Sequence, residues 1–233
     1  MQSLGLVRSV GLRRWSLTLT RGFDHLERKR LQKGYFFELN EMRDTGGKVF
    51  PCSTSLISPE EAADFPRNTQ AHQINATASS PSSKGLVDIA DVFTGRGASV
   101  VGLYFRENAK QNVLSWTEGY ENSTKGEARA QVVELCCVES LLFRAGPLKS
   151  LIQRGLAQDM AKREKERGVE ILCLAAFGNL REFQRLLDIS NRLTSYCFLV
   201  DSAGRVRWRG SGAATEGEIA NLRQAAAALV AGG

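Results

Sequence analysis

Three runs of apolar residues in the second half of the chain have the length of buried β-strands. They are ASVVGLYF at residues 98–105, AQVVELCCVES at 130–140 and VEILCLAAF at 169–177. A strand that is covered on both faces is apolar at successive positions, whereas a half-exposed strand alternates. The pattern therefore predicts three strands in the interior of one sheet, with the first run at its centre.

Segments with helical spacing lie between these strands. Residues 107–120 are polar and can form a helix, and Pro147 lies in the first turn of a second helix with one apolar stripe. The stripe consists of Leu148, Leu151, Ile152 and Met160, with Leu156 close to it. A third amphipathic segment covers residues 179–193. The block KREKER at 162–167 contains both signs of charge, which is typical of a solvated helical face.

Residues 194–212, TSYCFLVDSAGRVRWRGSG, predict a β-hairpin. The arm from Tyr196 to Val200 has no charged residue, which suits an inner strand. In the arm from Arg205 to Arg209, arginines alternate with Val206 and Trp208, which are predicted to share one face. This second arm is predicted to be a half-exposed edge strand, whose charges discourage pairing with another chain.

Six residues are predicted to shape the turn of the hairpin and the start of a final helix. They are Asp201, Gly204, Gly210, Gly212, Thr215 and Glu218. Aspartate and glycine at the ends of the turn DSAG are typical of a type I turn, and the threonine and glutamate have capping-box spacing. The order of elements predicts an α/β thioredoxin-like domain over residues 97–233, with a central mixed sheet flanked by helices.

The first half of the chain predicts a helix and an arm. Residues 23–66 begin with helix-forming residues up to Arg43, after which two glycines end the helix and three prolines interrupt regular structure. An N-terminal helix with an extended arm is therefore predicted. Residues 67–96 are predicted to be a flexible linker, because their first part, RNTQAHQINATASSPSSKG, is small, polar and free of aromatic side chains.

The net charge of +6 is concentrated at the start of the chain. Residues 1–22 contain four arginines and no acidic residue, and the remainder has 27 basic against 25 acidic side chains. This composition predicts a mitochondrial presequence over residues 1–22, with a retained membrane-surface helix as the alternative. Because the remainder is nearly neutral, a nucleic-acid partner is not predicted.

Apolar run lengths and cysteine spacing limit the remaining classes of protein. No run reaches the roughly 18 apolar residues that a membrane span needs, so membrane contact is predicted to be peripheral. The five cysteines are odd in number and include no Cys-x-x-Cys pair, which argues against a disulfide framework or a zinc ribbon. With two histidines in the chain, neither a metal nor another cofactor is predicted.

A redox thioredoxin needs a reactive cysteine where the first central strand meets the next helix. That segment is FRENAKQN at residues 105–112, and NRLTSYC, before the hairpin, has no proline where redox thioredoxins carry a cis-proline. Cys136 and Cys137 are neighbours in a strand, with side chains on opposite faces, and are predicted to be core thiols. Cys52 is the strongest candidate for a reactive thiol, although no base lies near it in sequence.

Other candidate groups have structural interpretations. The glycine segments GRGASV and GSGAAT lack the third glycine of a dinucleotide fingerprint, and two glutamates after the second oppose a bound phosphate. Asp201 and Glu134 are carboxylates without an evident catalytic partner. Trp208 is predicted to be a core aromatic residue, with a partner anchor as the alternative. No small-molecule substrate is predicted.

The segment YCFLVDSAGRVRWRGSGAAT resembles the C-terminal signature of the mitochondrial ATPase complex subunit ten family: an aromatic residue, Leu-Val-Asp, a glycine turn, Arg-Trp and Gly-Ser-Gly. ERKRLQKGYFFELNEMRDTGGKVF and ADFP resemble that family's N-terminal region, so the resemblance covers residues 23–233. It implies an assembly chaperone of ATP synthase, peripheral on the matrix side of the mitochondrial inner membrane. Its implied client is the mitochondrially encoded proton-channel subunit, whose association with the c-ring it would aid.

The leading hypothesis is a binding protein without catalytic activity, which contacts its client through the arm at 35–66 and the Arg-Trp hairpin. The candidate partner contacts are Tyr35, Phe36, Phe65, Arg205, Arg207, Trp208 and Arg209. One alternative is a thioredoxin-fold thiol enzyme of the peroxiredoxin-like or disulfide-handling type. Another is a permanent structural subunit of a mitochondrial complex.

Overall fold

The apolar runs form neighbouring strands at the centre of an eight-stranded sheet. The computed structural model describes residue 34 and residues 36–74, 85–123, 130–139, 146–167 and 171–232. The strands are β1 Ala63–Asp64, β2 Gln70–Ile74, β3 Leu86–Asp88, β4 Ala98–Tyr104, β5 Gln131–Val138, β6 Leu172–Phe177, β7 Ser195–Asp201 and β8 Arg205–Ser211. The α-helices are α1 Phe36–Thr45, α2 Lys110–Ser123, α3 Gly146–Arg167, α4 Arg181–Leu186 and α5 Glu216–Gly232.

The topology is that of a thioredoxin-like domain, which confirms the predicted fold class. The strand order is β1-β8-β7-β4-β5-β6-β2-β3, in which β4, β5 and β6 are parallel while β7 and β8 are antiparallel to their neighbours. All seven residues of β4 are buried, as expected of a strand with a layer on each face. The sheet is therefore mixed, with helices on both faces.

Helices α2, α3 and α5 cover one face of the sheet. Trp116 of α2 and Leu222 of α5 pack in one cluster with β4 and β7, and Leu156 of α3 packs with β6. Gly102 of β4 lets α2 approach closely, because a Cβ at this position would lie 2.6 Å from Cγ1 of Val113. The opposite face is covered by α4 and by aromatic side chains from the arm.

The predicted linker over residues 67–96 is wrong where the structure describes it. Residues Gln70–Ile74 form β2, which pairs antiparallel with β6, and Leu86–Asp88 form β3. A short 3₁₀ helix follows at Ile89–Phe93. The polar composition predicted a linker instead of a strand because β2 buries few of its side chains. Backbone hydrogen bonds hold this strand, and they leave no hydrophobic pattern in the sequence. Residues 75–84 lie outside the described residues.

The arm is part of the domain, and β8 is not a free edge strand as predicted. The backbone N–H groups of Ser53 and Ile57 donate to the carbonyl oxygens of Arg209 (2.9 Å) and Arg207 (2.7 Å), and β1 pairs with β8. The edge that the arginines were predicted to protect is therefore covered by the same chain.

A β-bulge reverses the predicted alternation in β8. Leu199 is opposite Trp208 and Val200 is opposite Val206, so Arg207 is an extra residue on β8. Val206 and Trp208 consequently pack on opposite faces of the sheet, in separate core clusters. The prediction that they share one face is wrong for this reason.

The remaining helices agree with the predictions in position, with two differences. The stripe of α3 divides: Leu156 is buried, but Leu148 and Leu151 are 39% and 65% exposed. Helix α4 is shorter than its amphipathic segment. The start of the N-terminal helix, Tyr35 and the presequence lie outside the described residues. In the ranges that the structure describes, every helix is too short or too polar to cross a membrane.

Candidate functional site

The edge of the sheet where β4 and β5 end is where thioredoxin-fold enzymes carry their reactive thiol. Phe105 and Arg106 follow β4, and a 3₁₀ turn at Glu107–Ala109 leads into α2. Arg106 is the N-cap residue of this 3₁₀ turn, and its side chain makes no capping hydrogen bond. Neither this segment nor the one before β7 has a cysteine or a proline, and all peptide bonds of the described residues are trans.

A pocket of about 300 Å³ occupies this edge. Its lining residues are Phe105, Arg106, Cys137, Glu139 and Arg192. We call it the edge pocket. It combines an aromatic ring, two cations and one carboxylate, a composition suited to contact with a partner or ligand of mixed polarity.

A charged network connects the edge pocket to α1. Nε of Arg192 lies 3.2 Å from Oε1 of Glu38, and its Nη1 lies 3.3 Å from Oε2 of Glu139. Nε2 of Gln184 donates to Oε1 of Glu139 at 2.6 Å. Burial alone would lower the pKa of Arg192, but the hydrogen bonds with Glu38 raise it above its usual value. The network therefore holds α1 against the pocket, even though Glu38 and Arg192 are distant in sequence.

Helix α1, which Glu38 links to Arg192 of the pocket, presents apolar side chains to solvent. Phe36 is 69% exposed and Leu39 is 45% exposed. They are three positions apart, so they lie on the same side of the helix. We call the edge pocket, taken together with these two exposed side chains, the α1–pocket surface.

Burial makes the thiols poor nucleophiles. Cys137 lines the edge pocket but is 1% exposed, and burial raises its pKa well above the usual value. Burial also raises the pKa values of Cys136 and Cys52 to about 11, and the carboxylate of Glu218 adds to the effect at Cys52. Because the thiolate is the reactive form, this arrangement opposes thiol catalysis at neutral pH.

Cys52 is expected to react slowly with alkylating reagents. A rise of its pKa from 9.0 to about 11 lowers the thiolate fraction at pH 8 by about a hundredfold. Alkylation of the folded protein by iodoacetamide, followed by mass spectrometry, should therefore accelerate up to pH 11. An unfolded peptide with residues 46–58 is the control, and its rate should be half-maximal near pH 9 and level off about one pH unit higher. A half-maximal rate near pH 9 in the folded protein would contradict this environment.

The turn and cap residues have local structural roles. Oδ1 of Asp201 accepts from the N–H groups of Ala203 (3.0 Å) and Arg205 (2.9 Å), and Gly204 closes the turn with a φ of 79°. Thr215 and Glu218 bond reciprocally, through N–H to Oε2 at 2.9 Å and N–H to Oγ1 at 3.3 Å. These contacts order the hairpin and start α5.

Gly210 and Gly212 allow close approach between the hairpin, α2 and the arm. A Cβ at Gly212, whose φ is 70°, would lie 2.9 Å from the carbonyl group of Gly47, and a Cβ at Gly210 would lie 2.9 Å from the ring of Trp116. Nζ of Lys48 lies 2.6 Å from Oε2 of Glu218. This junction joins the N-terminal part of the chain to the C-terminal helix.

The structure separates the predicted partner contacts into buried and exposed groups. Phe65 and Trp208 are 1% and 0% exposed, so both are core residues and cannot contact a partner in this fold. Asp201 binds Arg205 and Arg207, at 2.9 and 3.2 Å. Arg209 lies 4.7 Å above the Phe50 ring and 3.5 Å from Asp188. These arginines stabilise the hairpin and the arm. Phe36 is exposed, and Tyr35 lies outside the described residues.

The sequence pattern predicted neither the charged network nor the partner of Glu134. Arg163 of α3 donates from Nη1 and Nη2 to Oε1 and Oε2 of Glu134, at 2.8 and 2.7 Å, and Thr117 donates to Oε1 at 3.0 Å. Glu134 therefore has a structural partner rather than a catalytic one. Pairs so distant in sequence leave no local signal, although an acidic residue inside a buried strand indicates that a cation must be near.

Comparisons with known proteins give one family match. The family model described as ATP10 protein matches residues 24–229. No curated protein matches the chain in sequence.

Several solved structures are similar to the chain. One is a thiol:disulfide interchange protein, DsbE, from Chlorobium tepidum, with 18% identity, a TM-score of 0.42, and coverage of 72% of this chain and 96% of that chain. A DsbF homologue from Corynebacterium diphtheriae has 12% identity, a TM-score of 0.42, and coverage of 74% and 92%. BsSco, of the Sco family of cytochrome c oxidase assembly proteins, has 11% identity, a TM-score of 0.42, and coverage of 71% and 95%.

Proposed function

The chain belongs to the ATP10 protein family, the mitochondrial ATPase complex subunit ten family, and we propose that it is a non-catalytic assembly factor for mitochondrial ATP synthase. The family match over residues 24–229 is the observation that carries the proposal. The proposed client is the mitochondrially encoded proton-channel subunit, whose association with the c-ring the protein aids. The proposed location is the matrix side of the inner membrane, as a peripheral protein.

The chemistry of the edge pocket supports a binding role. Phe105 and Arg106 occupy the segment in which a thiol enzyme would have its nucleophile, and burial raises the pKa of Cys137. An edge that offers an aromatic ring, charged groups and exposed apolar side chains has the means to hold a polypeptide. We therefore propose that the client contacts the α1–pocket surface.

Loss of the protein is expected to deplete the assembled membrane sector of ATP synthase and to leave the soluble catalytic sector present. Rescue of depleted cells with Leu39→Asp should fail, because a charge in the apolar contact area must be desolvated when the client binds. The membrane sector is measured by native gel electrophoresis, and client capture by pull-down of newly made mitochondrial translation products. We expect capture to fall at least tenfold, which corresponds to about 1.4 kcal/mol.

Leu86→Asp is the matched control, because Leu86 is 54% exposed on β3, the strand at one end of the sheet. This variant should rescue assembly and capture the client like the unmodified chain. Normal assembly in depleted cells would reject the proposed function. Equal capture by Leu39→Asp and the unmodified chain would reject the contact surface alone. Stoichiometric co-purification with mature ATP synthase would instead favour a permanent subunit.

A further inference from the structure

The outer face of α3 is basic and includes exposed leucines. Eight positions of this helix are exposed among those whose side chains the structure describes. They are Pro147, Leu148, Leu151, Arg154, Gly155, Gln158, Lys162 and Lys165. Three of the eight are basic and none is acidic, although the KREKER block alternates charges along the sequence.

Contacts on the inner side of α3 explain this separation of charge. Arg163 is turned toward the sheet, where it binds Glu134, and its Nε lies 3.1 Å from Asp159. Asp159 also lies 3.2 Å from Nζ of Lys110 on α2. These pairs neutralise Asp159. Lys165 lies on the opposite side of the helix from Arg163, and Lys162 is exposed at the border of the two sides.

The composition of the outer face fits an anionic lipid bilayer. Lysine and arginine near such a surface are attracted to lipid phosphates, while exposed leucines insert between the acyl chains. Arg154 and Lys165 are 11 positions apart, about 17 Å along a helix, so the cations can reach separate head groups. Leu151, which is 65% exposed, lies one turn before Arg154.

The first turn of α3 lies at the same end of the sheet as the edge pocket. Helix α3 starts beyond the end of β5, and Nζ of Lys149 lies 5.1 Å above the ring of Phe177 at the end of β6. The ends of these parallel strands form the edge that carries the pocket. A bilayer against the first turns of α3 would therefore lie at the same end of the sheet as the edge at which we place the client.

We propose that the outer face of α3 binds an anionic lipid bilayer, with Leu148 and Leu151 inserted and Arg154, Lys162 and Lys165 on the lipid phosphates. This inference rests on the proposed function, to which it adds the surface and the lipid class of the membrane contact.

Vesicle flotation of the full chain tests the proposal. The vesicles contain phosphatidylcholine alone, or phosphatidylcholine with a third of it replaced by phosphatidylglycerol. A variant with Arg154, Lys162 and Lys165 replaced by glutamine should bind the anionic vesicles about a hundredfold more weakly, because each cation contributes about fivefold. The matched control replaces Arg67, Arg96 and Arg181, which are exposed elsewhere, and should bind like the unmodified chain.

Fluorescence locates the inserted surface independently of overall affinity. With the spectrum of the unmodified chain subtracted, the emission of the Leu151→Trp variant should shift to shorter wavelength on anionic vesicles and be quenched by brominated lipid. The Ser202→Trp variant, with its new indole in the exposed turn of the hairpin, should show neither effect.

Three results would overturn the proposal. The first is equal weakening of vesicle binding by both triple variants, and the second is an unshifted emission of the Leu151→Trp variant on anionic vesicles. The third is loss of client capture by the variant at Arg154, Lys162 and Lys165 while its vesicle binding is unchanged. The last result would make α3 a protein interface. Failed lipid binding with intact client capture would reject the lipid surface and leave the assembly function standing.

Discussion

Replacement of Arg163 by methionine is expected to lower the free energy of unfolding by about 3–5 kcal/mol. Glu134 is buried in β5 at 2% exposure, and Arg163 supplies its cation through two hydrogen bonds. Burial by itself disfavours the charged guanidinium, but the hydrogen bonds with Glu134 raise the pKa of Arg163 above its usual value. Removal of the guanidinium leaves a carboxylate in the core without its partner, which is far more costly than loss of an exposed ion pair.

Urea unfolding at neutral pH measures this effect, and the double variant is its control. When Glu134 is also replaced by leucine, neither charge remains buried, so the double variant should be more stable than Arg163→Met alone. A loss of less than 1 kcal/mol in the single variant would show that the pair does not hold α3. The pair also turns Arg163 toward the sheet, so both variants should bind anionic vesicles more weakly than the unmodified chain.

Replacement of Trp208 by alanine is expected to cost about 3–5 kcal/mol of stability rather than to weaken client binding selectively. The side chain is fully buried, its ring centroid lies 5.7 Å from that of Trp116 in an edge-to-face contact, and its Nε1 donates to Oδ1 of Asn221 at 2.7 Å. Alanine removes this packing and leaves a cavity between β8, α2 and α5.

Urea unfolding measures the loss, and Trp208→Phe is the matched variant. Phenylalanine keeps much of the apolar surface but cannot donate to Asn221, so its loss should be smaller than that of alanine. Client capture by either variant should remain normal under conditions in which the variant is folded. A Trp208→Ala protein with unchanged stability and lost capture would restore the interpretation of this residue as a partner contact.

The two stability predictions separate scaffold from binding surface. Trp208 and Arg163 belong to the core and to its buried charges, whereas Phe36 and Leu39 are exposed on α1. Variants of the first kind should lower stability, and variants of the second kind should lower client capture at unchanged stability. This contrast makes the assignment of the α1–pocket surface testable without a structure of the complex.

Local sequence signals predicted the strands and helices whose apolar, turn or cap residues are close together in the sequence. The run at 98–105 is the central strand β4, and the hairpin and the final helix lie where their turn and cap signals place them. The lack of a cysteine at 105–112 is likewise a property of the sequence alone. These features depend on the period of the backbone and on the chemistry of neighbouring residues, which are readable without a fold.

Contacts between distant residues decided the rest of the candidate site. The pairing of β2 with β6 and of the arm with β8 uses backbone hydrogen bonds, which any sequence can form and which leave no periodic signal. The bulge at Arg207 turns Trp208 to the other face, and the network of Glu38, Arg192 and Glu139 exists only after three distant segments meet.

The sequence by itself determined the thioredoxin-like order of elements and the replacement of its reactive thiol. The tertiary structure alone decided which side chains are surface and which are core. It buried Trp208 and Phe65, left Phe36 and Leu39 exposed, and turned Arg163 inward. The physical reason is that periodicity specifies the faces of one element, whereas burial depends on which other elements cover each face.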